Sequence, residues 1–129
     1  MRTLVKAIHQ MIADSGLDNV FMLDAPEMDE CTAVIPYAST PYSDIPISDE
    51  SFQIASRAKT YESVMSRSWR ALHALTPDVL PAHMRSGVQY VLSLRPIQTP
   101  TYIGKDGSGR HEAVFNIDVT ASWAEKGRI

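Results

Sequence analysis

The chain contains four histidines, and their spacing bears on whether it binds a metal ion. Zinc-binding histidines on one helix usually stand three or four positions apart, because that spacing places both rings on one face. The histidines here lie far apart, in four different predicted elements: His9, His73, His83 and His111. The sequence therefore offers no zinc-type spacing, and only a site assembled in three dimensions stays open as an alternative.

A glycine-rich segment, residues 104–110, is the second place where chemistry could occur. A phosphate-binding loop ends in Gly-Lys-Ser/Thr and continues into a helix, and neither feature is present here. A calcium loop would need Glu at its twelfth position, where Ile117 stands. We predict a hairpin turn instead, in which glycines supply positive φ and Asp106 caps its own turn.

Candidates for nucleophilic catalysis are equally sparse. Cys31 is the only cysteine, so an intrachain disulfide is excluded, and its apolar neighbours favour a buried structural thiol over a reactive one. The sequence has no Gly-x-Ser-x-Gly elbow and no cysteine close to a histidine. Acidic residues in loops are usually just solvated. We predict no catalytic residue, no metal and no cofactor, and hence no enzyme.

Length and composition bound the architecture. With 129 residues and 44% hydrophobic content, the chain can bury one core, so we predict a single domain over residues 1–129. We find no apolar run long enough for a membrane span and no signal-peptide pattern at the N-terminus. We therefore expect a soluble protein made in the cytoplasm. A net charge of -3 argues against tight nucleic-acid binding.

The charges are distributed unevenly along the chain. Residues 7–56 contain nine acidic side chains and no Lys or Arg, whereas residues 57–129 contain ten basic and six acidic side chains. Such polarity suits head-to-tail association, in which an acidic patch on one copy meets a basic patch on the next. The alternative is that the two halves neutralise each other inside one subunit.

Apolar spacing predicts two helices, at about Arg2–Ser15 and Tyr61–Leu75. Gly16 should end the first as a left-handed cap, and Thr60 should cap the start of the second. The predicted strands share short apolar or alternating runs and lie at Val20–Leu23, Cys31–Ile35, around Phe52 and Ile54, at Val88–Arg95 and at Ala113–Trp123.

Three prolines interrupt the segment from Pro36 to Glu50, so we predict an exposed, irregular loop there. With its tyrosines, this loop is a candidate contact arm or else a plain surface connection. The order of elements predicts an α+β fold, with two helices packed on one face of a largely antiparallel β-sheet.

The region from Arg95 to Trp123 resembles a known family. Pro96-Ile97, Thr99-Pro100, Ile103-Gly104-Lys105-Asp106 and Gly109-Arg110 precede a long alternating strand that includes Glu112 and Phe115-Asn116. This pattern is similar to that of the tail terminator, or minor capsid, proteins of long-tailed bacteriophages. The earlier order of helices and strands matches the family loosely over nearly the whole chain.

The resemblance implies a structural protein of the virion, located at the tail or neck. Such a protein forms a ring, expected to be a hexamer, that sits on the last ring of the tail tube protein and stops its polymerisation. Its other face meets the head-side connector or stopper protein, and DNA passes through the lumen without specific binding. The resemblance implies neither a cofactor nor a catalytic residue.

Surface elements that a core does not need are the best candidates for contacts between subunits. We name eight side chains on that basis: Arg110, Lys105, Asp106, Tyr37, Tyr42, Asp44, Asp49 and Glu50. Arg110 is the first choice, since its planar fork can pair bidentately with a carboxylate of a neighbouring copy. The alternative is that Arg110 only braces its own hairpin.

Three other functions remain as alternatives. The nearest is a head-closure, stopper or adaptor ring of the neck, which needs the same self-association. A small enzyme would show clustered titratable residues in one pocket. A regulatory binding module would stay monomeric or dimeric and would be absent from virions.

Overall fold

The computed structural model describes residues 4–77, 85–86 and 89–122. In chain order its elements are α1 (Leu4–Asp14), β1 (Val20–Met22), β2 (Cys31–Pro41), β3 (Ile47–Ala58), α2 (Tyr61–Ala74), β4 (Arg85–Ser86), β5 (Gln89–Pro96), β6 (Thr101–Lys105) and β7 (His111–Ser122). His83, Val88 and Trp123 lie outside the described residues. Among the described helices, neither has the length and apolar character of a membrane span.

The strands form one mixed sheet in the order β1-β2-β3-β7-β5-β4. β1 pairs with β2 in parallel, and all other described pairs are antiparallel. β7 is the central strand: β3 lies along one edge for its whole length, and β6 and then β5 share the other edge. The predicted α+β class with a largely antiparallel sheet is confirmed.

The core lies between the helices and the inward residues of β2, β3 and β7. Every second residue of β7 from Ala113 to Ala121 is fully buried, which confirms the predicted alternation of the last strand. The cluster combines Ile8 and Ile12 of α1 with Leu72 of α2 and Phe115 of β7. Both helices therefore contribute to the same apolar cluster as the sheet.

The helix ends follow local capping rules. Gly16 follows α1 with φ 94°, a conformation that costs glycine little. The hydroxyl of Thr60 accepts a hydrogen bond from the backbone N–H of Ser63 at 3.1 Å, which confirms the predicted N-cap of α2. The predicted helices were right in position, and each was one residue too long at its C-terminal end. The predicted start of the first helix at Arg2 lies outside the described residues.

The prediction of an irregular loop from Pro36 to Glu50 was wrong. β2 continues to Pro41 and β3 begins at Ile47, so most of this segment is a paired hairpin. The backbone N–H of Thr32 donates to the carbonyl of Asn19, on the side of β2 that faces away from β3. The backbone nitrogen of Pro36, four positions further on, lies on that same side. The backbone N–H of Tyr42 donates to the carbonyl of Ile47 across the hairpin, so the nitrogen of the preceding residue, Pro41, faces away from β3. Proline is tolerated here because its missing N–H lies at a position that β3 does not use.

A bulge explains the packing of β5. The register with β7 shifts between Val91 and Ser93. Val91 and Leu94 consequently both pack against the core, although they stand three positions apart. Strict alternation, which the sequence suggested for this strand, is interrupted at that point.

Candidate assembly interface

The turn between β6 and β7 is built around Asp106. Its Oδ1 accepts hydrogen bonds from the backbone N–H groups of Ser108 and Arg110, each at 2.9 Å, as predicted for a self-capped turn. Gly109 has φ 81°, where a side chain would be strained. Burial would raise the pKa of Asp106, but the two backbone donors and the Arg110 side chain outweigh it, so the pKa lies below its ordinary value.

Arg110 is held within its own chain and is only 8% exposed. Its Nε donates to Asp106 at 2.8 Å, its Nη2 to the Glu27 carboxylate at 2.9 Å, and its Nη1 to the carbonyl of Met28 at 3.1 Å. The hydrogen bond to Glu27 raises the pKa of Arg110 against the opposing effect of burial. Arg110 therefore braces its own hairpin against the β1–β2 loop, as the alternative interpretation expected. A contact of Arg110 with another copy stays a prediction.

Arg57 secures the same region from the end of β3. Its Nε lies 3.6 Å from a carboxylate oxygen of Asp106 and 4.0 Å from one of Glu112. Its Nη1 donates to the carbonyls of Pro26 and Met28, both at 3.4 Å. Two arginines therefore hold the β1–β2 loop against the β6–β7 turn.

Charge pairs within the chain join its acidic and basic parts. The pairs are Arg67–Asp18, Arg110–Glu27, Lys59–Asp29 and Arg95–Asp49. Arg67 is buried on α2 and also donates to the backbone carbonyl of Asp18, and burial lowers the pKa of its guanidinium against the opposing effect of Asp18. Basic side chains of the same subunit therefore neutralise these carboxylates, as the alternative interpretation expected. A head-to-tail charge contact would have to use other groups.

The outer face of the sheet, which is the side opposite the core, carries a trough of about 270 Å³. Its lining combines apolar side chains, such as Ile35, Ile103 and Val114, with the charged side chains of Arg57 and Glu112. Cys31 lies at its edge and is 2% exposed. Burial raises the pKa of the Cys31 thiol, although nearby Arg57 acts to lower it. The predicted buried thiol is confirmed.

The β2–β3 arm, residues 36–46, projects exposed apolar and acidic side chains. Tyr37 is 54% exposed and Tyr42 is 43% exposed, and Asp44 is exposed at the tip. Asp49 and Glu50, at the base of the arm, are bonded within the chain. Asp49 accepts from the Thr120 hydroxyl at 2.6 Å, and Glu50 from the Ser48 hydroxyl at 2.6 Å. Within the described ranges, the side chains of the two tyrosines and Asp44 are exposed and available for contacts.

A further exposed surface was missed at the sequence level. Tyr61, Met65, Trp69 and His73 stand four positions apart along α2, and all four are exposed or half-buried. The ring of Tyr61 lies 5.1 Å from that of Tyr102 on β6. The spacing of four was visible in the sequence, but it does not show which side of a helix is open.

A further contact links the Tyr61 and Tyr102 pair to His111 at the start of β7. The hydroxyl of Tyr102 lies 2.9 Å from Nδ1 of His111. Lys105, at the end of β6, is exposed and forms no ion pair within the described part of the chain.

The described residues also contain no group of three or more histidine, cysteine or acidic side chains that could hold a metal ion. The arrangement therefore offers surfaces for binding and no cluster of reactive groups among the described side chains.

Comparison with known proteins identifies the family. No curated protein matches the sequence. A solved chain from the virion of a native gene transfer agent particle has a similar fold, with a TM-score of 0.68 over 92% of this chain and 94% of that one, at 10% identity. The model of the bacteriophage tail terminator protein family matches residues 6–123. Since that match spans most of the chain, the protein belongs to the bacteriophage tail terminator family, and it is a structural tail protein and not an enzyme.

Proposed function

We propose that this protein assembles into a hexameric ring that ends the tail tube and joins the tail to the head. One face of the ring binds the last ring of the tail tube protein and stops its polymerisation. The other face binds the head-side connector or stopper protein. The observation that carries the proposal is the family match over residues 6–123, which reaches from α1 to β7.

The distribution of buried and exposed elements supports a ring subunit. Both helices contribute to the core cluster, and the face of the sheet opposite the core keeps its partly apolar trough beside the half-buried polar side chains of β7. The β2–β3 arm extends exposed side chains beyond the core. A head-to-tail ring needs two different complementary surfaces on each subunit, and this chain has several candidates for them.

The acidic surplus of the first half supports a further feature of the ring. We expect acidic side chains to line part of its opening, because a negative wall lets DNA slide without binding. Asp24 is an exposed candidate. A lumen lined mainly by Lys and Arg in an assembled particle would contradict this expectation.

The direct test is electron microscopy of particles from an infection that lacks this chain. Overlong tail tubes and filled heads without tails are the expected result, and supplying the wild-type chain in trans should restore normal particles. Tails of normal length lying free beside leaking heads would instead place the protein on the head side of the joint. Ordinary infectious virions would contradict both functions.

A further inference from the structure

We propose that the β2–β3 arm of one copy docks on the α2–β6 face of the next copy. We define the α2–β6 face by Tyr61, Met65, Trp69 and Arg70 of α2 with Tyr102 and Lys105 of β6. The inference rests on the proposed ring and names the two surfaces that meet in it.

The arm carries one carboxylate among apolar side chains. Residues 36–46 contain Asp44 and no basic residue. Asp49 and Glu50, at the base of the arm, are bonded within the chain, but Asp44 at the tip has no ion-pair partner among the described residues. Tyr42 and Ile45 flank it, and Ile45 is 49% exposed. Ending an arm in exposed apolar side chains is costly in water unless a partner covers them.

The α2–β6 face has the opposite charge and a similar apolar character. Tyr61 is 47% exposed and Trp69 is 39% exposed. Arg70 and Lys105 are exposed cations without an ion-pair partner in the described ranges. Glu62 is the acidic residue of α2, and it stands in the first turn, where the helix dipole already favours it. Aromatic rings beside free cations suit an acidic, tyrosine-bearing arm through charge pairing and cation–π contact.

The tip of the arm does not meet the Tyr102 end of the α2–β6 face within one copy. The tip lies beyond Ile47, at the start of β3, whereas Tyr102 pairs with Ala113, which pairs in turn with Ser56. Nine steps along the strand lead from Ile47 to Ser56, and that length corresponds to roughly 30 Å at about 3.3 Å per residue. The tip can therefore reach this end of the face on another copy. Different patches meeting in this way give a head-to-tail contact, which forms a ring when the rotation between neighbouring copies closes.

Cross-linking in assembled particles tests the docking. Ser43 and Ser66 are exposed and lie beside Asp44 and one helical turn before Arg70. A phage whose sole copy of this chain is the double variant Ser43→Cys/Ser66→Cys is grown, and purified virions are treated with a short bis-maleimide. We expect a ladder of multimers that ends at the copy number of the ring, because each copy then links to both neighbours. Adding Asp44→Lys or Arg70→Glu should remove most of the ladder.

The matched controls are the two single variants and the pair Ser15→Cys/Ser43→Cys, in which the second thiol lies after α1. None of these should give a ladder. Virions of normal tail length in which the double variant stays monomeric, forms only dimers, or links the arm to a different virion protein would overturn the docking and leave the terminator function intact. Normal virions without the chain at all would overturn the terminator function itself.

Discussion

Nη2 of Arg110 donates to the carboxylate of Glu27 at 2.9 Å, across a separation of 83 residues in the chain. Through this contact the β6–β7 turn holds the loop that connects β1 to β2. The same guanidinium also bonds to Asp106 and to the carbonyl of Met28, so three of its nitrogens have partners in the chain.

Replacing Arg110 by Ala should lower the Tm, because the loop loses its tie and the carboxylate of Asp106 loses a charged donor. Arg110→Lys should recover part of the loss, since a single ammonium cannot reproduce the fork. Asp14→Ala, on the surface of α1, is the control. Thermal unfolding of the purified proteins measures this. Arg110→Ala particles that assemble and infect at low temperature would confine Arg110 to bracing, whereas an unchanged Tm with lost rings would assign it to the interface.

Asp106 should give the fold an acid-dependent component. Its pKa is lowered in the folded chain, so its contribution is present above the ordinary aspartate value of about 3.9 and is lost as the pH falls through the lower folded value. Asp106→Asn should therefore be less stable than the wild type at neutral pH, and the difference should shrink below about pH 4. Tm values measured from pH 7 to pH 3 test this. A difference that stays constant over that range would contradict the assignment.

Phe115 is the largest fully buried side chain of the core. Phe115→Ala should reduce the free energy of unfolding by about 3–5 kcal/mol, because it leaves a cavity between the sheet and the helices. Thr40→Ala, at an exposed position of the β2–β3 arm, should change it by no more than about 0.5 kcal/mol. Urea unfolding followed by circular dichroism measures both. A cost for Phe115→Ala as small as that of the control would mean that the core is not packed as described.

Cys31 should react slowly with thiol reagents in the folded protein. Burial raises the pKa of its thiol and thus lowers the thiolate fraction at pH 8, while the strands around it block access. The exposed cysteine of the Ser43→Cys variant should react at once under the same conditions. A colorimetric thiol assay, with and without denaturant, compares the two. Rapid reaction of Cys31 without denaturant would show that the outer face opens readily.

Local patterns were sufficient for the elements whose signals lie in neighbouring residues. The alternation from Ala113 to Ala121, the N-cap at Thr60 and the self-capped turn at Asp106 were all predictable, because each depends on side chains within a few positions of one another. The spacing of histidines and cysteines along the chain could be read from the sequence in the same way. The hairpin of β2 and β3 was not predictable in this way, since proline fits a strand where its missing N–H faces a free edge, and the sequence does not show which edge is free.

Only the tertiary structure decided the placement of the charges and the exposed surfaces. The sequence showed an acidic half and a basic half, but it could not show that Glu27 meets Arg110 or that Asp18 meets Arg67. Such pairs depend on how strands and helices distant in the chain come together. The same packing decides which groups stay unpaired. Asp44 on the arm and the aromatic side chains of α2 are left exposed, and this is where we propose that a second copy binds.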